Sequence, residues 1–406
     1  MGLAQQGLAY VGEHVVNAEV LTLAARWMVH RSYGRYYDGA EIEGIQNASN
    51  MYRPSSRPLG NQLRRMHRQR CSDPRDRVYG LLGLLRPTVA AAIVPDYSSP
   101  LVDVYARATR VAIEEQQNLD ILRFAAWFVD EPRGKGVYSL ASNALEQLRY
   151  LMSWSYGWPS WVLRFNASTD SANGSCLNVQ VFREPEWQLQ TRDVGHPMIL
   201  SVKGTRLGRI TYTSVPFTTG LLQDGRKLAT TALQCMNSAG FDHVANVRTC
   251  NQLKLTFICG INAQNFNADT DSALDEEFSA FWAWCVATQT GFQHAEQPIH
   301  QYVRHMWRAR NRRFFLTAEG HMGMAPLMTR KGDFVCMLTG TAGVFTLRQM
   351  RSGHWRLIGD AYCPTFTTSL VTSDLSRMPV REQRQLSDLT PGLGETQKDM
   401  QWFDIS

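Results

Sequence analysis

Apolar residues recur at three- and four-residue spacings through the first third of the chain, whereas short apolar runs divided by glycine-bearing turns dominate only after residue 312. The first pattern predicts helices. Val20, Leu23, Ala24, Trp27 and Met28 place one apolar stripe within a helical segment drawn from Met1 to about Tyr37, with Gly34 as its stop. Pro54, Ser55, Ser56 and Pro58 then mark a loop. Val78, Leu81, Leu82 and Leu85 share a face of a second helix, for which Asp73 is the N-cap candidate, Pro74 suits the first helical position, and Asp76 faces the positive end of the dipole. Ala92 to Tyr97 reads as extended. Ser99 and Pro100 open a helix to about Gln117 with Leu101, Tyr105, Ala108 and Ala112 on one side, and Ala141 to Trp154 returns to helix.

Beyond Asn166 short strand-like pieces appear at 198–202 and 209–212, and Gly204 and Gly208 read as bracketing a turn between them. Phe278, Phe281, Trp282 and Cys285 restore helical spacing. From 313 onwards, runs at 313–317, 332–338, 344–348 and 355–359 predict a small closed or strongly curled sheet. The expected fold class is therefore α+β, mainly helical in the N-terminal half, with a small antiparallel β-sheet or β-barrel near the C-terminus. The divisions expected are a helical region at 1–165, a mixed α/β middle at 166–311, a β region at 312–372 and a polar, mobile tail at 373–406.

Composition agrees with ordinary packed cores: 44% hydrophobic and 19% charged residues in a 406-residue chain exclude disorder as the default. A net charge of +6 is small for this length and permits weak attraction to acidic surfaces without demanding it. The eight cysteines never form C-x-x-C and read as reduced, mostly buried thiols. The opening residues lack a basic region followed by an apolar one, and the longest apolar run, 78–94, is broken by Arg86 and Pro87, so a cytoplasmic protein without a membrane span is expected.

Several motifs carry a family resemblance. Ser72 to Leu84 contains Asp73-Pro74-Arg75-Asp76, Tyr79, Leu82 and Gly83, and resembles the Ser/Thr-Asp-Pro-Arg-Asp-Lys/Arg-Val-Tyr-Ala/Gly-Leu-Leu-Gly signature of fungal heterokaryon-incompatibility (HET) proteins. Pro95-Asp96-Tyr97-Ser98 and the downstream Leu119-x-Ile121-Leu122 are similar to the next elements of that family. Pro159-Ser160-Trp161-Val162 resembles its Leu-Pro-Ser-Trp-Val-Pro-Asp-Trp motif, departing at Leu163-Arg164-Phe165. Phe314-Phe315-x-Thr317, Gly332-Asp333 and Leu357-Ile358-Gly359-Asp360-Ala361-Tyr362 are similar to its C-terminal signature. The resemblance runs from about Leu21 to Tyr362 and is to the region downstream of the family's N-terminal HET module, whose marks are not found in this sequence.

No nucleophile, metal or nucleotide motif is recognised. There is no Gly-x-Ser-x-Gly elbow, and Gly340-Thr341-Ala342-Gly343 sits between strands without a following Lys-Ser/Thr. His294, His300 and His305 are not spaced as metal ligands. The arginines at 64–77 are read as a solvated face, and the run at 304–313 fits a solvated helix end and a nucleic-acid site with Trp307 as a stacking ring equally well; a nucleic-acid partner is not the expected one. The catalytic set is left unknown, no cofactor or metal is assigned, and the family-motif residues, Asp73 through Tyr362, are read as structural. The resemblance implies protein contacts in heterokaryon incompatibility, self/non-self recognition or cell-death signalling, with a protein partner. The alternative is an enzyme or accessory factor of a fungal secondary-metabolite cluster, holding a small apolar metabolite in an aromatic-lined pocket.

Overall fold

The computed structural model describes residues 8–11, 13–30, 58–66, 71–125, 158–163, 187–240, 247–260, 273–290, 301–341, 343–367 and 400–406. The expected helix at 141–154, the loop at 38–57, most of the 64–70 arginine cluster and the tail at 373–399 lie outside them. Two compact units divide the chain, Met1–Glu115 and Gln116–Ser406.

The first unit does not begin with a helix. Strands β1 (Leu8–Val11) and β2 (His14–Asn17) form an antiparallel hairpin, and only then does α1 (Ala18–His30) start, with the Asn17 side chain accepting the Glu19 N–H at 2.8 Å as its cap. The spacing located the stripe but not the side that is covered. Ala18, Thr22 and Ala25 are buried, while Val20, Leu23 and Trp27 remain more than half exposed. Helix α2 (Leu59–Met66) buries Leu59 and Leu63, and its first N–H donates to Glu115 Oε2 at 2.6 Å.

The segment after Asp73 is helical but not one helix. A single turn, α3 (Asp76–Tyr79), gives way at Gly80 to a 3₁₀ turn at Leu82–Leu84, and α4 (Pro87–Ala91) follows with its proline at the start. Two glycines in four residues lower helix propensity enough for the tighter turn to take over. Val78 and Leu81 are fully buried; Leu82 and Leu85 are half-buried. Helix α5 (Leu101–Gln116) buries Tyr105, Ala108 and Ala112, as the spacing predicts.

The second unit is built on a sheet that closes on itself. After the short strand β3 (Thr191–Arg192), β4 (Leu200–Thr213) runs unbroken where two strands and a turn were expected. Gly204 and Gly208 lie inside it. A Cβ at Gly204 would meet the Met337 backbone oxygen at 2.4 Å, and Gly208 sits at a register shift against the strand Phe334–Leu338, so both glycines serve strand crowding and bending rather than a turn. The helices α6 (Thr219–Gln223), α7 (Gly225–Ser238), α8 (Val247–Phe257), α9 (Ala273–Gln289) and α10 (Gln301–Met306) follow. Then come β5 (Arg312–Thr317), β6 (Met322–Pro326), β7 (Phe334–Leu338), β8 (Val344–Gln349), β9 (Trp355–Ala361), the turn α11 (Pro364–Thr367) and β10 (Gln401–Ile405).

The order β4–β7–β8–β9–β10 returns to β4, because β10 pairs antiparallel with β4 and parallel with β9. The bent half of β4 also pairs with β5, which pairs with β6, and Met324 of β6 bridges to Tyr362 just past β9. Successive residues of β5 separate two cores: Phe315 packs in one cluster with Val335, Met337 and Ala361, while Phe314 faces the helical cluster of Phe217, Phe257, Phe281 and Tyr302. The β region thus extends beyond 312–372 in both directions. Residues 401–405, expected in a polar tail, are a strand with Phe403 and Ile405 fully buried.

Candidate functional site

The signature residues of the first unit converge on one another. Asp73 is not the helix N-cap: α3 starts at Asp76, with Arg75 at the cap position and no side-chain cap bond, and Pro74 lies ahead of it. Asp73 Oδ1 instead accepts the Arg75 N–H at 2.8 Å in an Asx turn and its Oδ2 pairs with the Arg75 guanidinium at 2.9 Å, which fixes the arginine, whose Nε donates to Ser99 O at 3.1 Å. The Pro95-Asp96-Tyr97 element docks here. Tyr97 donates to Asp76 Oδ1 at 2.7 Å, and the Tyr79 hydroxyl both donates to Asp96 O at 2.9 Å and accepts the Asp96 N–H at 3.1 Å. The two rings meet edge to face at 5.2 Å. Beneath them Tyr105 donates to Pro74 O at 2.8 Å.

These contacts set the electrostatics. Asp96 is held down to about 2 by the hydroxyls of Ser98 and Ser99 and the Ser98 N–H, all donating to its carboxylate. Such a group is far from the range a general base needs at neutral pH. The Tyr97 phenol is raised, chiefly by its hydrogen bond to Asp76, and burial pushes Tyr105 up to about 12. Leu82 is half-buried, and Gly83 and Pro95 are exposed.

The motif residues of the second unit hold its barrel. Ser160 Oγ donates to Ser406 O at 2.6 Å and accepts the Leu357 N–H at 2.9 Å, while its neighbours Pro159 and Trp161 are buried, the indole N–H reaching Met198 O at 3.1 Å. Asp333 is 1% exposed and takes a two-pronged bond from Arg348, at 2.7 and 2.9 Å. Gly332 beside it has φ +95°, a conformation that favours glycine. Asp360 is likewise buried and accepts from Arg312 through both side chain and backbone at 2.8 Å. Gly359, with φ 141°, precedes it. Tyr362 closes the β6 bridge, and its ring lies where a Cβ at Gly260 would have to go.

Residues 237–377 match the Het-6 beta-barrel domain. The chain is also 24% identical over 345 residues to heterokaryon incompatibility protein 6, OR allele, of Neurospora crassa, an alignment covering 72% of this chain and 48% of that protein. The chain is thus similar to HET proteins over its barrel and over most of its length. It spans about half the length of the curated relative it matches. No solved structure matches it. The matched segment holds β5 through β9, while β4 and β10, which complete the ring, lie on either side of it.

Sequence spacing missed the partners of several residues. His305, considered for metal binding, is buried and pairs with Glu277 at 2.9 Å; His294 and His300 lie outside the described residues. Among the described residues no group of three or more His, Cys, Asp or Glu is placed to hold a metal ion, and no helix is long and apolar enough to cross a membrane. The basic run at 304–313 is not one surface. Arg312 is buried against Asp360, and Arg313 donates to Leu327 O and Ser214 O. The seven described cysteines are free thiols, Cys176 lying outside the described residues, and burial pushes Cys235 and Cys363 up to about 12, away from the thiolate form at neutral pH. The large aromatics of the helical cluster pack on one another, Phe281 against Tyr302 at 5.1 Å and Phe217 against Phe257 at 6.0 Å.

Proposed function

We propose that this chain acts through protein contacts in heterokaryon incompatibility, as a self/non-self recognition or cell-death signalling component. The observation that carries the reading is the exposed apolar set of the first unit. Leu8, Tyr10 and Val15 share one face of the β1–β2 hairpin, and Tyr10, paired with Val15 across it, is 74% exposed. Val20, Leu23 and Trp27 line the exposed side of α1 at 57, 54 and 55%. Large apolar side chains gathered this way mark contact surfaces for other proteins. The motif residues support it from the other direction, since their polar groups are engaged within the fold. The chemistry they offer is positional, and we read the Asp73-to-Tyr362 set as structural.

The test is expression of the chain in a fungal host, scored by the viability of fused cells. A change in viability is expected, and the double variant Tyr10→Ser/Leu23→Glu should abolish it while leaving the melting temperature unchanged. A stable double variant that keeps the full phenotype removes this surface from the function.

A further inference from the structure

The barrel is closed by a segment that arrives from far along the chain. Between Thr367, the end of α11, and Met400 lie residues 368–399, including Pro379, Pro391, Gly392 and Gly394. Connections beyond about 15 residues are uncommon inside a compact domain unless they are functional or serve as linkers. Among the described residues, β10 is seated by backbone pairing on both of its edges and by side chains of both neighbouring strands. Its backbone pairs with β4 from Gln401↔Gly204 to Ile405↔Leu200, and Ile405 also faces Trp355 of β9. The Ser406 N–H donates to Trp355 O at 2.9 Å, and Ser160 Oγ links Ser406 O to the Leu357 N–H.

The side chains alternate as a bound peptide's would. Phe403 and Ile405 point inward with no exposure, Phe403 edge-on to Trp355 at 5.0 Å. Trp402 and Asp404 are reached from outside by Arg192, which lies 4.8 Å over the indole and bonds the carboxylate at 3.1 Å. Gln401 Nε2 is buried with no hydrogen-bond partner among the described residues, a cost the strand bears in its seat. Two backbone edges, two apolar positions and one cation are the parts of a strand-addition site.

We infer that the slot between β4 and β9 is a strand-receiving groove, filled in one copy by its own residues 401–405, that takes the same strand from a second copy. It selects an aromatic at 403, a carboxylate at 404 and an aliphatic at 405. Covalent connection keeps the strand's own copy ahead in dilute solution, and exchange grows as copies crowd together. Exchanging an identical element between copies makes no new kind of contact. The inference rests on the barrel alone, so it fails separately from the reading of the first unit's surface.

The probe is a fluorescent peptide of residues 400–406, followed by anisotropy. It is added to the wild-type chain, to the full chain carrying Phe403→Asp, and to a full chain with a protease site placed within 368–399 and then cut. Binding at least tenfold tighter to the last two than to the uncut wild type is expected, with no binding of a peptide bearing Phe403→Asp. Equal binding to all three, binding to neither altered chain, or unfolding of the cut chain overturns the groove. The occupant is tested by mixing Phe403→Asp, whose groove is intact, with Val202→Asp, whose tail is intact. A one-to-one pair by sedimentation is expected; peptide binding without pairing overturns the second copy as the occupant.

Discussion

The signature platform of the first unit and the barrel of the second both pair motif aspartates with arginines and hydroxyls, but in different media. Asp333 and Asp360 are 1% exposed and face arginines that are 8% and 5% exposed, whereas the Asp73–Arg75 pair is 32% and 23% exposed. Water still reaches the platform. Buried, a carboxylate cannot lose its partner without leaving a charge stranded in a low dielectric; half-exposed, it falls back on solvent. The same residue types therefore make a fastening in one unit and an Asx turn in the other.

The sharpest way to break this contrast is Asp333→Ala. It leaves the Arg348 guanidinium buried without its carboxylate, and the expected cost is about 3–5 kcal/mol, read from the urea midpoint of the second unit's unfolding. A loss below about 1 kcal/mol would place the barrel pair in the same class as a surface pair. Asp73→Ala comes next. It removes the Asx-turn bond from the Arg75 N–H and a half-exposed ion pair, and should cost about 1 kcal/mol. Loss of function with unchanged thermal stability would instead give Asp73 a role outside folding.

How much of each region could be read from the sequence follows the same division. The platform's two motifs were legible, but their docking on one another was not foreseen, although the contacts are local: Asp76 to Tyr97, Tyr79 to Asp96 and Arg75 to Ser99 all span fewer than thirty residues. The strands β5, β7, β8 and β9 were legible from apolar runs between glycine turns. The closure was not. Ser201 bonds Asp404 and Ser160 bonds Ser406, separations of 203 and 246 residues, and nothing in Gln401-Trp402-Phe403-Asp404-Ile405 points to its partners. Strand β6 was hidden differently, since Met322-Gly323-Met324-Ala325-Pro326 is buried on both faces and shows no alternation. In α1 the period was right, yet periodicity tells which side chains share a face and not whether anything covers it.

The smallest expected effect probes the platform through pH. Asp96 titrates at about 2 in the fold against about 3.9 in an unfolded chain, because Ser98 and Ser99 donate to its charged form. Between those values the unfolded state holds the proton and the folded state does not. Stability from this group is therefore complete above about pH 4 and is lost as pH falls towards 2. Asp224 and Asp404 are lowered too, so the wild type weakens for several reasons across the same window, and only a difference isolates Asp96. Asp96→Asn removes the titration while keeping an oxygen for the serines. The melting temperature of the wild type should exceed that of the variant by a constant amount above about pH 4, with the gap closing towards pH 2. A gap that stays constant down to pH 2 would mean that Asp96 contributes through shape rather than charge, and would set the platform closer to the barrel than its exposure implies.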